Sequence, residues 1–196
     1  MRKILGIVLL LLVAVAIWSD FEHHDGKAAT LSVNRASSGP ENNGPSNPGE
    51  KNSEDATWHY LTTSDSLTDQ PIKGALIFST NKANFTWPYD GGSNLSLAFR
   101  RRGGHTDAMI VISKGQFMCE IDGCALGFRF DDGPVESIRA VPSGAGKSDV
   151  VFVQNALPLL RRLQRVHHLR IAATFYDNGR STFDFDTDGL DIHQLD

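Results

Sequence analysis

Cysteine is scarce in this chain: Cys119 and Cys124 are the only two in 196 residues. A structural zinc site wants four ligands, so two thiols are too few to build one. Neither cysteine lies near the end of the apolar run Ile4 to Trp18, which closes the lipid-modified lipoprotein route. Excess charge is missing too. Nineteen Lys and Arg stand against 23 Asp and Glu for a net charge of −4, so neither nucleic acid nor an anionic membrane surface is indicated as a bulk partner. No Gly-x-Ser-x-Gly elbow occurs, which removes the usual signature of a serine hydrolase. Aromatic residues are absent from the long stretch between Phe21 and Trp58.

What is present starts with an address. Arg2 and Lys3 precede the apolar run, and Asp20 and Glu22 follow it; this asymmetry leaves the basic end in the cytoplasm and sends the remainder across a membrane. Fifteen helical residues reach roughly 22 Å, short of a comfortable span. Ala14-Val15-Ala16 has the small-x-small form of a cleavage site, but bulky Ile17 and Trp18 follow it. Residues 1–19 therefore read as a signal anchor of the inner membrane, with a cleaved signal peptide as the alternative. Residues 20–56, rich in Ser, Asn, Gly, Pro and Glu, cannot bury enough apolar surface to offset their ordering entropy and read as a disordered linker. A domain at residues 57–196 then lies in the periplasm. In that oxidising compartment Cys119 and Cys124, with four residues between them, are expected to form a disulfide across a β-hairpin loop.

Within residues 57–196 the dominant period is two. Leu95, Leu97 and Phe99 alternate with polar neighbours, as do Phe128 and Phe130, and Phe183 and Phe185. Further strands are expected at residues 58–62, 74–79, 108–113, 116–121, 135–140, 150–153 and 169–176. Turn signals such as Asp122-Gly123 and Asp177-Asn178-Gly179 separate them. The fold class is mainly β, an antiparallel sandwich or barrel-like sheet. One segment departs from it: Leu157, Leu160, Leu163 and Val166 recur at helical spacing opposite Arg161, Arg162, Gln164 and Arg165. The spacing predicts one helix over about 154–168, with Asn155 as N-cap and Pro158 in the first turn.

Three constellations carry chemistry. Asp184, Asp186 and Asp188 before Gly189 reproduce the first half of a calcium loop; Leu195 stands where such a loop needs its bidentate Glu, and a strand edge running into a turn gives the same letters. Arg100, Arg101 and Arg102 before Gly103-Gly104 form a candidate anion or partner patch. Asp131 and Asp132 have the residue types of an acid/base pair, although Asp-Asp-Gly-Pro is first of all a turn.

Taken in order, these landmarks resemble a periplasmic domain of bacterial envelope proteins that includes the TagO/VasI-type accessory proteins of type VI secretion. They are Trp58, the run Thr63 to Asp69, Leu95 to Arg100, Asp131-Asp132-Gly133-Pro134, the Asn155 to His168 helix and Phe183 to Leu190. The resemblance implies a small exported β domain and carries over no functional residue. The expectation is therefore a membrane-tethered, non-enzymatic envelope domain with a binding or accessory role, anchored through residues 4–18, needing no cofactor and meeting an envelope protein or cell-wall component. Two alternatives stand beside it. One is a periplasmic hydrolase or calcium-binding protein using the acids named above; the other is an immunity or inhibitor protein against an exported toxin.

Overall fold

Alternating apolar residues become strands wherever one face of the backbone can reach a common core. The computed structural model describes residues 57–196; the apolar run Ile4 to Trp18 and the linker at 20–56 lie outside the described residues. Nine strands form: β1 (His59–Ser64), β2 (Pro71–Phe78), β3 (Leu95–Arg102), β4 (His105–Ile112), β5 (Cys124–Phe130), β6 (Val135–Pro142), β7 (Val150–Val153), β8 (His168–Phe175) and β9 (Gly179–Asp186). A single helix, α1 (Ala156–Leu163), and a 3-10 turn at Ile192–Leu195 complete the elements of the described residues.

The mainly β class holds, but in place of a sandwich of two stacked sheets or a closed barrel-like sheet there is one open sheet. Its order is β1-β2-β3-β4-β7-β6-β5-β8-β9, and every pairing is antiparallel. One face of this sheet encloses one core, because Ile77, Phe99, Ile110, Phe128, Ile171 and Phe183, drawn from six strands, belong to the same buried cluster. Burying a phenylalanine such as Phe183 stabilises by about 1.5–3 kcal/mol. The two ends of the sheet are stitched rather than paired. Past β1, the chain leaving β2 meets β9: the Thr80 amide donates to the Asp184 carbonyl at 2.7 Å, and Asn81 exchanges hydrogen bonds with Thr182 and Asp184. Trp58 closes the seam from below, its indole N–H donating to the Thr187 carbonyl at 3.1 Å.

The helix is shorter than its periodicity implied. It ends at Leu163, and His168 already belongs to β8. The cause is Asp131, whose Oδ1 accepts the amides of His167 at 2.9 Å and His168 at 2.8 Å; a backbone held by that carboxylate cannot continue helical hydrogen bonding. The buried face is Ala156, Leu159, Leu160 and Leu163, so Leu157 points outward. Asn155 precedes the helix in a left-handed conformation (φ 60°, ψ 50°) with no side-chain cap. The strand expected at 116–121 does not form. Two isolated bridges, Phe117 with Phe175 and Glu120 with Gly123, are made there instead.

Candidate functional site

The disulfide-stapled end of the sheet is built by a change of partner. β5 pairs with β8 from Gly127↔Ala172 to Phe130↔Leu169. Beyond Ala172, β8 turns instead to the segment before the first cysteine: Met118 donates its amide to the Thr174 carbonyl, and Tyr176 donates to the Gln116 carbonyl, both at 2.9 Å. β5 and β8 therefore splay. Cys119 and Cys124 are disulfide-bonded as expected, with Cα atoms 4.5 Å apart. Inside that ring Glu120 and Gly123 exchange both backbone hydrogen bonds at 3.1 Å, which leaves Ile121 and Asp122 at the tip. Gly123 (φ 116°) presses on β6, and a Cβ there would stand 2.5 Å from the Ala140 carbonyl oxygen, so no other residue fits without displacing the loop.

Between the loop and the splayed strands lies a cleft of about 570 Å³ lined by Met118, Glu120, Asp122, Ala125, Ser137, Arg139 and Thr174, together with the disulfide. Large apolar side chains stand in solvent at this end of the sheet: Met118 lines the cleft, Ile121 tips the loop, and Tyr176 and Trp87 lie by the turn after β8. Ile121 is fully exposed, Trp87 is 81% exposed, and Met118 and Tyr176 are more than half exposed. Trp87 is brought to this end by its neighbour Thr86, whose amide and hydroxyl both donate to Asn178 Oδ1 at 2.8 and 3.2 Å; Asn178 in turn donates to the Tyr176 carbonyl. Beneath them Phe85 and Phe117 pack on Phe175, with ring centroids 4.9 and 5.1 Å away. The exposed residues thus stand on a rigid aromatic base.

The arginines expected to form a patch are dispersed. Arg100, Arg101 and Arg102 alternate between the two faces of β3, and each meets an acid: Asp107 at 2.5 Å, Asp196 at 2.7 Å and Asp65 at 3.0 Å. A different set is gathered. Arg129, Arg139, Arg170 and Arg180 share the outward face of the β6-β5-β8-β9 half, since register pairs Arg129 with Arg170, Ala125 with Arg139 and Thr174 with Arg180. Arg170 meets Asp184 at 2.9 Å, and the Arg180 guanidinium lies against Gly127, occupying the space a Cβ would need.

The acids are committed to structure. Asp131 is held below the ordinary carboxylate range by the His168 amide and then, against some desolvation, by the His167 amide and the nearby imidazoles. Asp132 is fully exposed, 3.7 Å from Arg129. Asp184 takes Arg170, Asp186 accepts the Asp188 amide at 3.4 Å, and Asp188 meets His167 Nδ1 at 2.5 Å. The hydrogen bond from Asp188 raises the His167 pKa above its ordinary value, with the Asp188 charge adding to it. Asp184, Asp186 and Asp188 therefore serve three different partners, and among the described residues no three His, Cys, Asp or Glu side chains converge as metal ligands.

Sequence reasoning missed the apolar cluster because Ile121 sits in an Asp-Gly turn and Trp87 before Pro88, where polar residues are the norm. That mismatch of residue and turn was the available signal. Comparison with protein-family models, curated proteins and solved structures returns no match.

Proposed function

We propose that residues 57–196 form a non-enzymatic binding domain of a bacterial envelope protein. The segment Ile4 to Trp18 tethers it to the inner membrane through the linker at 20–56, and its role is of the accessory kind that the TagO/VasI resemblance implies. The partner, an envelope protein or a cell-wall component, docks on the disulfide-stapled end. The observation that carries this reading is the exposed set Met118 on the cleft wall, Ile121 at the loop tip, and Tyr176 and Trp87 by the turn after β8, with Arg139 lining the cleft and Arg180 paired with Thr174 beside it. Aromatic residues, Met and Arg are the types enriched at interface centres, and single exposed apolar residues need no explanation whereas a cluster does. The disulfide supports an oxidising address.

Crosslinking in intact envelopes tests it, using the full-length chain. Hot-spot residues contribute about 2 kcal/mol or more each, so Trp87→Ala with Ile121→Asp is expected to lower capture of the partner by at least about thirtyfold. Undiminished capture by the double variant would move the interface elsewhere, and capture of nothing by the unaltered chain would remove the binding reading.

A further inference from the structure

From Val135 to Arg139, β6 has one side of its backbone without a strand beside it. Gln154 donates its amide to the Arg139 carbonyl at 3.0 Å, and Ser143 donates to the Val150 carbonyl at 3.3 Å. Backbone groups of alternate residues in a strand point the same way, so Val135 and Ser137 direct theirs to that same side. β7 pairs only with Ala140 to Pro142, after which the chain turns at Asn155 into α1. No strand of the described residues pairs with Ser137 on that side. Of the sheet's two terminal strands, β1 and β9, the latter shows how such groups can be managed, since Thr80 and Asn81 cover it.

Between this bare edge and α1 lies a second cavity of about 290 Å³, with Phe130, Ile138, Pro158 and Leu159 on its apolar walls. It has room for an apolar side chain. Its polar rim is basic. Arg162 lies 3.6 Å above the Phe130 ring centroid and holds Glu136 with two hydrogen bonds of 2.7 and 2.6 Å, which leaves that rim carboxylate neutralised. Arg139 lines it too, exposed and 3.8 Å from Asp122, and Arg161 and Arg165 are exposed on α1 and just past its end.

We propose that the edge of β6 from Val135 to Arg139 receives an extended, acidic polypeptide segment of the partner protein by strand addition beneath α1. Main-chain pairing with Ser137 supplies affinity, the cavity takes an apolar side chain, and the arginines select carboxylates on its neighbours. This rests on the reading of the domain as a binding module and names its partner as a polypeptide. Ser137 and Arg139 also line the cleft at the disulfide, so one chain can run from the edge to the exposed apolar cluster.

The test uses the full-length chain in detergent and three capped hexapeptides: alternating Glu and Val, alternating Lys and Val, and the Glu/Val peptide with alternate amides N-methylated. The Glu/Val peptide is expected to bind and to slow hydrogen exchange at the Ser137 amide. The other two are expected to bind at least about tenfold more weakly, as is the Glu/Val peptide to the Arg139→Glu variant. Ser137→Pro, which removes the donor on an edge that tolerates proline, is expected to abolish binding. Equal binding of the N-methylated peptide, unchanged exchange at Ser137, or no binding of the Glu/Val peptide would each overturn the inference. The Trp87→Ala, Ile121→Asp variant separates the two readings: peptide binding lost from unaltered protein while envelope capture persists sinks the edge alone. Peptide binding that survives in that variant while capture fails leaves the edge standing.

Discussion

The two halves of the sheet use the same strand geometry to opposite ends. In β2, β3, β4 and β7 both faces are buried: β3 is buried at every position from Leu95 to Arg100, and Leu76, Ala98 and Met109 are as inaccessible as the core although they face away from it. In β6, β5, β8 and β9 only one face is. β8 alternates, with Leu169, Ile171, Ala173 and Phe175 inward and His168, Arg170, Ala172 and Thr174 outward. A strict polar alternation marks a face open to water, whereas a run such as Ala-Met-Ile-Val-Ile in β4 marks a strand covered twice. The gathered arginines, the cleft and the bare edge all belong to the half that alternates, which is where a binding face has to be.

Charge placed on the two outward faces should expose the difference most sharply. Met109→Asp puts an unpaired carboxylate where the face is buried, and a loss of about 3–5 kcal/mol is expected. Thr182→Asp on the open face should change stability by no more than about 0.5 kcal/mol. Urea unfolding of both variants checks this, and similar losses would erase the distinction between the halves. The shared core should be indifferent to it: Phe99→Ala in one half and Phe183→Ala in the other are each expected to cost about 3–5 kcal/mol. A loss confined to one of the two would show that the halves do not share one core. Removing the disulfide with Cys119→Ser and Cys124→Ser should cost about 2 kcal/mol, because the ring it closes is short. Comparing that variant with oxidised wild type by the same unfolding experiment checks it.

The smallest effects are electrostatic. Asp188 raises the His167 pKa, so the pair stabilises fully below the ordinary value of 6.5, and that contribution is lost as pH rises through the folded value. Asp131 behaves in reverse. Its lowered pKa gives a contribution present above the ordinary 3.8 and lost as pH falls through the folded value. His167→Gln should flatten the loss of stability as pH rises above 6.5, and Asp131→Asn the acid loss as pH falls below 3.8. Unaltered pH profiles in these variants would mean that neither pair contributes.

Strand positions were legible wherever a dominant period of two ended in a turn signal, as at Leu95 to Phe99 or Phe183 to Phe185. The segment 116–121 misled because its apolar residues serve two ends: Phe117 enters the core while Met118 and Ile121 remain in solvent. The helix was found, but its end was not, because Asp131 halts it from thirty-six residues away. At the candidate site the disulfide was legible from cysteine count and spacing. The rest was not, since Trp87, Ile121 and Tyr176 are distant in sequence, and it takes the change of strand partner beyond Ala172 and the Thr86–Asn178 bonds to bring their segments to one end of the sheet.

By itself, then, the sequence determined the local terms: which residues extend, where glycines permit turns, which cysteines pair, and that one segment is helical. These follow from backbone sterics and side-chain period, which act over a few residues. Tertiary structure alone decided that the strands form one curled sheet rather than two stacked ones, that Arg100 to Arg102 are dispersed while Arg129, Arg139, Arg170 and Arg180 are gathered, and that β6 keeps an open edge. Such choices depend on register and on which strand lies beside which, and pairing energies between segments tens of residues apart leave no periodic trace in either segment.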